Sequence, residues 1–291
     1  MRARPASPVR FTPSTPFHPA GTIAVAVPPR ILRFAHRGAS ARAPENTLPA
    51  FEEAIRLGVD YIECDVRLSA DGAALVIHDA TVDRTTDGHG AVAALSTGAI
   101  RRLDAGLWFA PRFRGTRVPT LEEALEATRG RCGLNIEIKD DNGRSRLLPG
   151  SSQGPPPAAL IDAVQRAITR CGSPANIILS SFSRRTLLRA HAAMPRCAAG
   201  ALYSRSVPRL RPLLDRVRLS SIHLHARLAT SARLRSVHRL GLPVYVWPAE
   251  DPDEMRRLAG IGVDGIMTND PRLFRVLRTG PPRRKGRRGP S

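Results

Sequence analysis

Phe34–Asp79 reads FAHRGASARAPENTLPAFEEAIRLGVDYIECDVRLSADGAALVIHD. It opens F-A-H-R-G, closes V-I-H-D, and holds P-E-N-T at Pro44–Thr47 and Y-I-E-C-D-V at Tyr61–Val66. Ile31–Ala35 is a short apolar run that stops at His36-Arg37-Gly38, as a buried parallel strand stops at its functional loop. Asn46–Leu57 carries Leu48, Phe51, Ala54, Ile55 and Leu57 at helical spacing, with Asn46 placed to cap the start and Gly58 to stop the end. Tyr61–Val66 is a second buried strand, interrupted by Glu63 and Asp65. Two positions apart on a strand, both carboxylates point to one face. They repel unless a cation or a proton lies between them. Asp71-Gly72 then makes a tight turn, and Ala74–Ile77 is a short strand ending at His78-Asp79.

Beyond this stretch strand and helix patterns alternate to the end of the chain. Residues 80–119 form a long irregular connection with Leu107-Trp108-Phe109 in it, and a connection of that length inside a domain usually has a function. Thr120 and Glu123 form a capping box that starts the next helix. Gly133–Lys139 is the next strand, residues 140–157 are a Gly-, Ser- and Pro-rich mobile loop, and Ala158–Thr169 is helical. Strands at 176–180, 198–203, 221–225, 243–247 and 265–268 follow, each with a helix behind it, the later ones at 209–216 and 271–277 among them. Eight such units with right-handed crossovers close most simply into an α/β fold, a (β/α)8 TIM barrel with a small insertion after the second strand. A doubly wound open sheet is the alternative, but no Gly-x-Gly-x-x-Gly loop follows a strand.

The domain plan is therefore a flexible arm over 1–30, a barrel over 31–277 and a basic disordered tail over 278–291. The net charge of +20 suggests a polyanion partner at first sight, but twelve of those charges lie in residues 1–30 and 271–291, which carry no acid, leaving +8 for the body. No interleaved aromatic–basic pattern points to a specific nucleic acid, and the tails fit at most weak contact with anionic surfaces. No run of about 18 apolar residues exists, so no membrane-spanning helix is expected. Cys64, Cys132, Cys171 and Cys197 show no C-x-x-C spacing and read as free thiols of a cytoplasmic protein. Oligomeric state leaves no sequence signal.

In a barrel, polar residues at the C-terminal strand ends converge on one face. Glu63, Asp65 and Glu137 then gather three hard oxygen ligands, a set suited to a divalent cation, Mg2+ or Ca2+. His36 and His78 end two strands of one unit and titrate near neutrality, as a proton-transfer pair must. Arg37 and Lys139 are placed to clamp a phosphate. Glu45 follows Pro44 in the P-E-N-T loop and is expected to orient these groups or add a fourth ligand.

The ordered set His36-Arg37-Gly38, Pro44–Thr47, Glu63-Cys64-Asp65, Asp71-Gly72, His78-Asp79, Asn135–Lys139 and Val263–Pro271 resembles the glycerophosphodiester phosphodiesterases, over roughly residues 31–277. The resemblance implies a metal-dependent phosphoric diester hydrolase acting on a small-molecule glycerophosphodiester to give sn-glycerol 3-phosphate and an alcohol. It implies that Glu63, Asp65 and Glu137 ligate the metal, that His36 and His78 are acid and base, and that the insertion caps one side of the site. Attack by water and attack by the glycerol 2-hydroxyl through a cyclic phosphate are both open to such machinery. One departure bears on substrate choice. After Val244–Trp247 the family continues Thr-Val-Asn, whereas here Pro248-Ala249-Glu250 follows, leaving Trp247 as an apolar wall of the alcohol pocket. A lysophospholipid-directed phosphodiesterase on the same scaffold is the enzyme-class alternative, and a nucleic-acid binder using the basic tails is the other.

Overall fold

Alternation along Tyr61–Val66 sorts side chains into two environments, and the computed structural model follows that sorting around the whole chain. It describes residues 30–139, 157–172, 176–208 and 210–277. The expected arm up to residue 29, the 140–156 loop and the 278–291 tail lie outside them. The elements are β1 (Leu32–His36), α1 (Leu48–Arg56), β2 (Tyr61–Leu68), β3 (Ala74–Val76), α2 (Thr97–Ile100), α3 (Leu121–Thr128), β4 (Gly133–Ile138) and α4 (Pro157–Cys171). They continue with β5 (Ile177–Ser181), α5 (Arg184–Ala193), β6 (Ala198–Tyr203), α6 (Arg211–Leu214), β7 (Ser221–His225), α7 (Ser231–His238), β8 (Val244–Trp247), α8 (Pro252–Gly260) and β9 (Gly265–Thr268).

Eight parallel strands, β1, β2 and β4 to β9, pair in sequence order, and β1 pairs with both β2 and β9 to close the barrel. The fold is the (β/α)8 barrel. β3 stands outside it, paired antiparallel to the far end of β2. Outward residues such as Ile62, Cys64, Val66, Leu134 and Ile136 pack under the helices. Inward, Phe34, Tyr61 and Tyr245 form an aromatic floor, with Phe34 4.9 Å from each of the other two ring centroids. The floor needs Gly133, because a Cβ there would lie 2.2 Å from the Tyr61 ring. Register then stacks the polar layers above it: His36, Glu63 and Asn135 lie level, and Asp65 lies level with Glu137 and Ser180. The side-chain period of two thus delivers every inward carboxylate to the mouth.

Three local expectations differ from the structure. The first helix begins at Leu48 with Thr47 as N-cap, and Asn46 is not a cap. Its backbone is left-handed (φ +58°) and its amide is used elsewhere. α6 is a single turn, Arg211–Leu214, with Pro212 at its start, rather than 209–216, and Pro271–Leu277 is a 3-10 helix. The capping box at Thr120 and Glu123 forms as expected. Residues 80–119 fold on a small core of their own, built from Val82, Val92, Ile100, Ala105 and Val118 against Leu75 and Ile77. All four cysteines are free thiols. No helix among the described residues is long and apolar enough to cross a membrane.

Candidate active site

The turn after β1 is held in an unusual backbone conformation. Arg37 has φ +57°, and the strain is balanced by hydrogen bonds on both sides. Its N–H donates to Glu63 Oε2 at 3.0 Å, and its carbonyl accepts from Asn46 N–H at 3.0 Å. Gly38 follows against α1, where a Cβ would sit 2.8 Å from the Ala50 backbone, so only glycine fits. Asn46 folds back over β2, donating Nδ2–H to Asp65 Oδ2 at 2.8 Å and accepting the Asp65 N–H at 3.2 Å.

Glu63, Asp65 and Glu137 are all buried and bring one carboxylate oxygen each to within 4.8 Å of one another. Lys139 lies among them, its Nζ 2.7 Å from Asp65 Oδ1 and 2.6 Å from Glu137 Oε1. Arg37 Nε is 3.3 Å from Asp65 Oδ2, and its Nη1 donates to Glu45 Oε1 at 2.9 Å. Charge is therefore unevenly balanced. Burial favours a proton on Asp65, but Lys139 and Arg37 outweigh it and hold that carboxyl far below its ordinary range. Glu63 has burial and the neighbouring Asp65 and Glu137 against it, which push its pKa well up, and Glu137 is raised by burial as well. Glu63 Oε1, both amide atoms of Asn135 and Ser180 Oγ are buried without a hydrogen-bond partner among the described residues. Three hard carboxylates with an unpartnered oxygen suit a divalent cation, which would supply the charge that Glu63 lacks.

The two histidines face this cluster. His36 donates from Nδ1 to Asn269 Oδ1 at 2.8 Å, and that oxygen also accepts from Ser40 Oγ–H at 2.9 Å. Its Nε2, left with the lone pair, lies 3.8 Å from Glu63 Oε2. Burial first, then the Arg37 charge, lowers the His36 pKa to about 4. His78 follows β3 and bonds through Nδ1 to Asp79 Oδ1 at 2.6 Å. Burial lowers its pKa, opposed by the charge of Asp65. Asp79 is itself clamped by Arg84 from the insertion at 2.6 Å, and Arg84 also bridges to Glu45. Glu45 is thus a partner of two guanidinium groups and stands outside the carboxylate trio. Trp247 ends β8 with its ring 6.4 Å from His36, 5.7 Å from Phe182 and 5.1 Å from His225.

All nine residues expected from the sequence lie at the barrel mouth or on its strand ends. Asn135, Asn269, Asp79 and Arg84 had no role assigned beforehand, and Asn46 had only that of a helix cap. Asp79 is adjacent to a histidine, which is a usable signal. Asn269 is 233 positions from His36, and only closure of the barrel joins them.

Residues 36–273 match the model of the glycerophosphoryl diester phosphodiesterase family. A glycerophosphodiester phosphodiesterase of Caldanaerobacter subterraneus subsp. tengcongensis is 35% identical over 253 residues, covering 86% of this chain and 99% of that protein. Among solved structures, a glycerophosphodiester phosphodiesterase from Agrobacterium tumefaciens has 33% identity and a TM-score of 0.69, covering 84% of this chain and 99% of its own. A phosphodiesterase from Oleispira antarctica, in complex with the product sn-glycerol-3-phosphate, has 26% identity and a TM-score of 0.77, with 85% and 97% covered. The family match runs from His36 through Asn269 and so takes in every residue of the cluster. The chain belongs to the glycerophosphoryl diester phosphodiesterase family.

Proposed function

We propose that the protein hydrolyses glycerophosphodiesters to sn-glycerol 3-phosphate and an alcohol, using a divalent cation, Mg2+ or Ca2+, and the histidines His36 and His78. The observation that carries this reading is the buried trio Glu63, Asp65 and Glu137, with oxygens within 4.8 Å, facing two imidazoles and two cationic side chains. Glu63, Asp65 and Glu137 would hold the cation, which when bound polarises a phosphoryl oxygen and offsets charge building up on it. Arg37 and Lys139 bind the anionic diester. Lys139 uses two of its three N–H donors on Asp65 and Glu137 and keeps one for phosphate.

Cleavage breaks the bond from phosphorus to the alcohol oxygen and forms one to an attacking oxygen. One histidine takes the proton of the attacking water or glycerol 2-hydroxyl, and the other gives a proton to the departing alkoxide; where the 2-hydroxyl attacks, water then opens the resulting cyclic phosphate to sn-glycerol 3-phosphate. Asn269 fixes the His36 tautomer so that Nε2 faces the cluster, and Asp79, held by Arg84, orients His78. Trp247 walls the apolar side of the alcohol pocket. The test is release of sn-glycerol 3-phosphate from glycerophosphocholine, glycerophosphoethanolamine and glycerophosphoglycerol, in EDTA and after addition of Mg2+ or Ca2+. Ion-dependent release from at least one diester is expected. No release from any of them with either ion overturns the reading.

A further inference from the structure

Positive charge is not spread evenly over the barrel. Between residues 172 and 249 thirteen arginines stand against one acid, Asp215. That span supplies β5 to β8 and the helices α5 to α7, the run of the barrel that starts at the strand beside β4. Elsewhere several exposed arginines of the helix layer meet carboxylates, as in Arg56–Glu53, Arg129–Glu126 and Arg257–Glu254. In this sector the exposed Arg184, Arg185, Arg205, Arg211 and Arg227 meet none among the described residues. Arg184 and Arg227 bond instead to the carbonyls of Pro212 and Ser204. Those two bonds tie the loops after β5, β6 and β7 into one continuous rim.

One helix start adds to this asymmetry, although α1 and α4 outside the sector also lack acids in their first turns. In a (β/α)8 barrel each helix begins at the mouth end, and the positive end of its dipole points there. α3 and α8 answer it with two acids each in the first turn, Glu122 and Glu123, Asp253 and Glu254. α5 has none, and begins Arg184-Arg185. Two cations at that end oppose the dipole and weaken the helix. Beside them Phe182 stands 46% exposed, edge-on to Trp247.

We propose that this rim, Phe182 with Arg184, Arg185, Arg205, Arg211 and Arg227, docks the mouth of the barrel on an anionic phospholipid bilayer. The arginines lie on three successive loops rather than converging on a point, so they match many headgroups side by side better than one small anion. An exposed phenyl ring two residues before a pair of arginines suits the boundary between headgroups and acyl chains. A single exposed ring on the rim is a poor stacking platform for a nucleic-acid strand. The proposal does not depend on which reaction the site catalyses.

Co-sedimentation of the full-length protein with vesicles tests it. Wild-type protein is expected to sediment with phosphatidylcholine vesicles containing phosphatidylglycerol, less so as salt rises, and to stay in solution with phosphatidylcholine alone. Arg184→Gln/Arg185→Gln/Arg205→Gln should lower the partition coefficient on the order of a hundred-fold, from a factor of about five per arginine. The same three neutralisations at Arg166, Arg170 and Arg256, exposed on α4 and α8, should leave most of the binding. Circular dichroism of each variant confirms that it is folded, and Phe182→Ser, which keeps every charge, is expected to weaken binding on its own. Wild-type protein that ignores anionic vesicles, or equal losses in the two triple variants, overturns the proposal. A nucleic-acid duplex that binds more tightly than vesicles at equal phosphate, through the same arginines, overturns it in favour of that partner.

Discussion

Lys139→Met removes the ammonium that balances two buried carboxylates while keeping the length of the side chain. Lys139 is 12% exposed, Asp65 1% and Glu137 10%, so water cannot replace the lost contacts at 2.7 and 2.6 Å. Breaking a buried pair by removing one partner costs about 3–5 kcal/mol. For a chain of this size each kcal/mol lowers Tm by about 2–4 °C, so the drop in EDTA should be roughly 6–20 °C. The deficit also depends on pH. Without the ammonium, burial keeps a proton on Glu137 in the folded state at pH values where the unfolded chain has released it, so stability falls as pH rises from the ordinary carboxylate range through the raised folded pKa. A saturating divalent cation binds the same oxygens only in the folded protein and should restore part of the loss. Thermal melts followed by circular dichroism, in EDTA and in Ca2+ across pH 5 to 8, read all three effects. A variant that melts within about one degree of wild type in EDTA would show that Lys139 does not balance the trio.

His36→Ala and His78→Ala should each lower kcat by roughly 10²–10⁴ with little change in substrate binding, and wild-type kcat in either would remove that residue from proton transfer. Replacing residues 80–119 with a short Gly-Ser loop should spare cation affinity, since Glu63, Asp65 and Glu137 lie outside it, and should collapse discrimination between alcohols. The kcat/KM ratios for glycerophosphocholine, glycerophosphoethanolamine and an aryl diester measure this, and unchanged ratios mean the insertion does not read the leaving group. His223 is wholly buried on Ser221 Oγ, and burial lowers its pKa to about 3. The unfolded chain therefore takes a proton below about pH 6.5 that the folded one refuses, costing about 2 kcal/mol by pH 5. Urea titrations at pH 7 and pH 5 should show a smaller fall for His223→Gln, and an equal fall would assign the acid sensitivity elsewhere.

How much of this was legible from residues alone follows from the range of each interaction. The barrel strands were legible because a buried parallel strand is a continuous apolar run, and the carboxylates were legible because they break such runs at Glu63, Asp65 and Glu137. Asn46 misled because asparagine suits both an N-cap and a left-handed turn, and the carboxylate that claims its amide is 19 positions away. Arg84 was silent for a related reason. It pairs with Asp79 nearby but with Glu45 39 positions back, and only the folded insertion brings the two together. Ala74–Ile77 was legible as a strand apart from the eight of the barrel, and the observed strand, Ala74–Val76, pairs antiparallel to β2 across the turn at Asp71-Gly72.

Isothermal titration of Mg2+ and Ca2+ into EDTA-treated protein tests the central claim most directly. Wild-type protein should bind one cation per chain, and Glu63→Gln/Asp65→Asn should bind none while remaining folded, with sn-glycerol 3-phosphate release lost in parallel. Undiminished cation affinity in that double variant would contradict the assignment of the trio as the metal site.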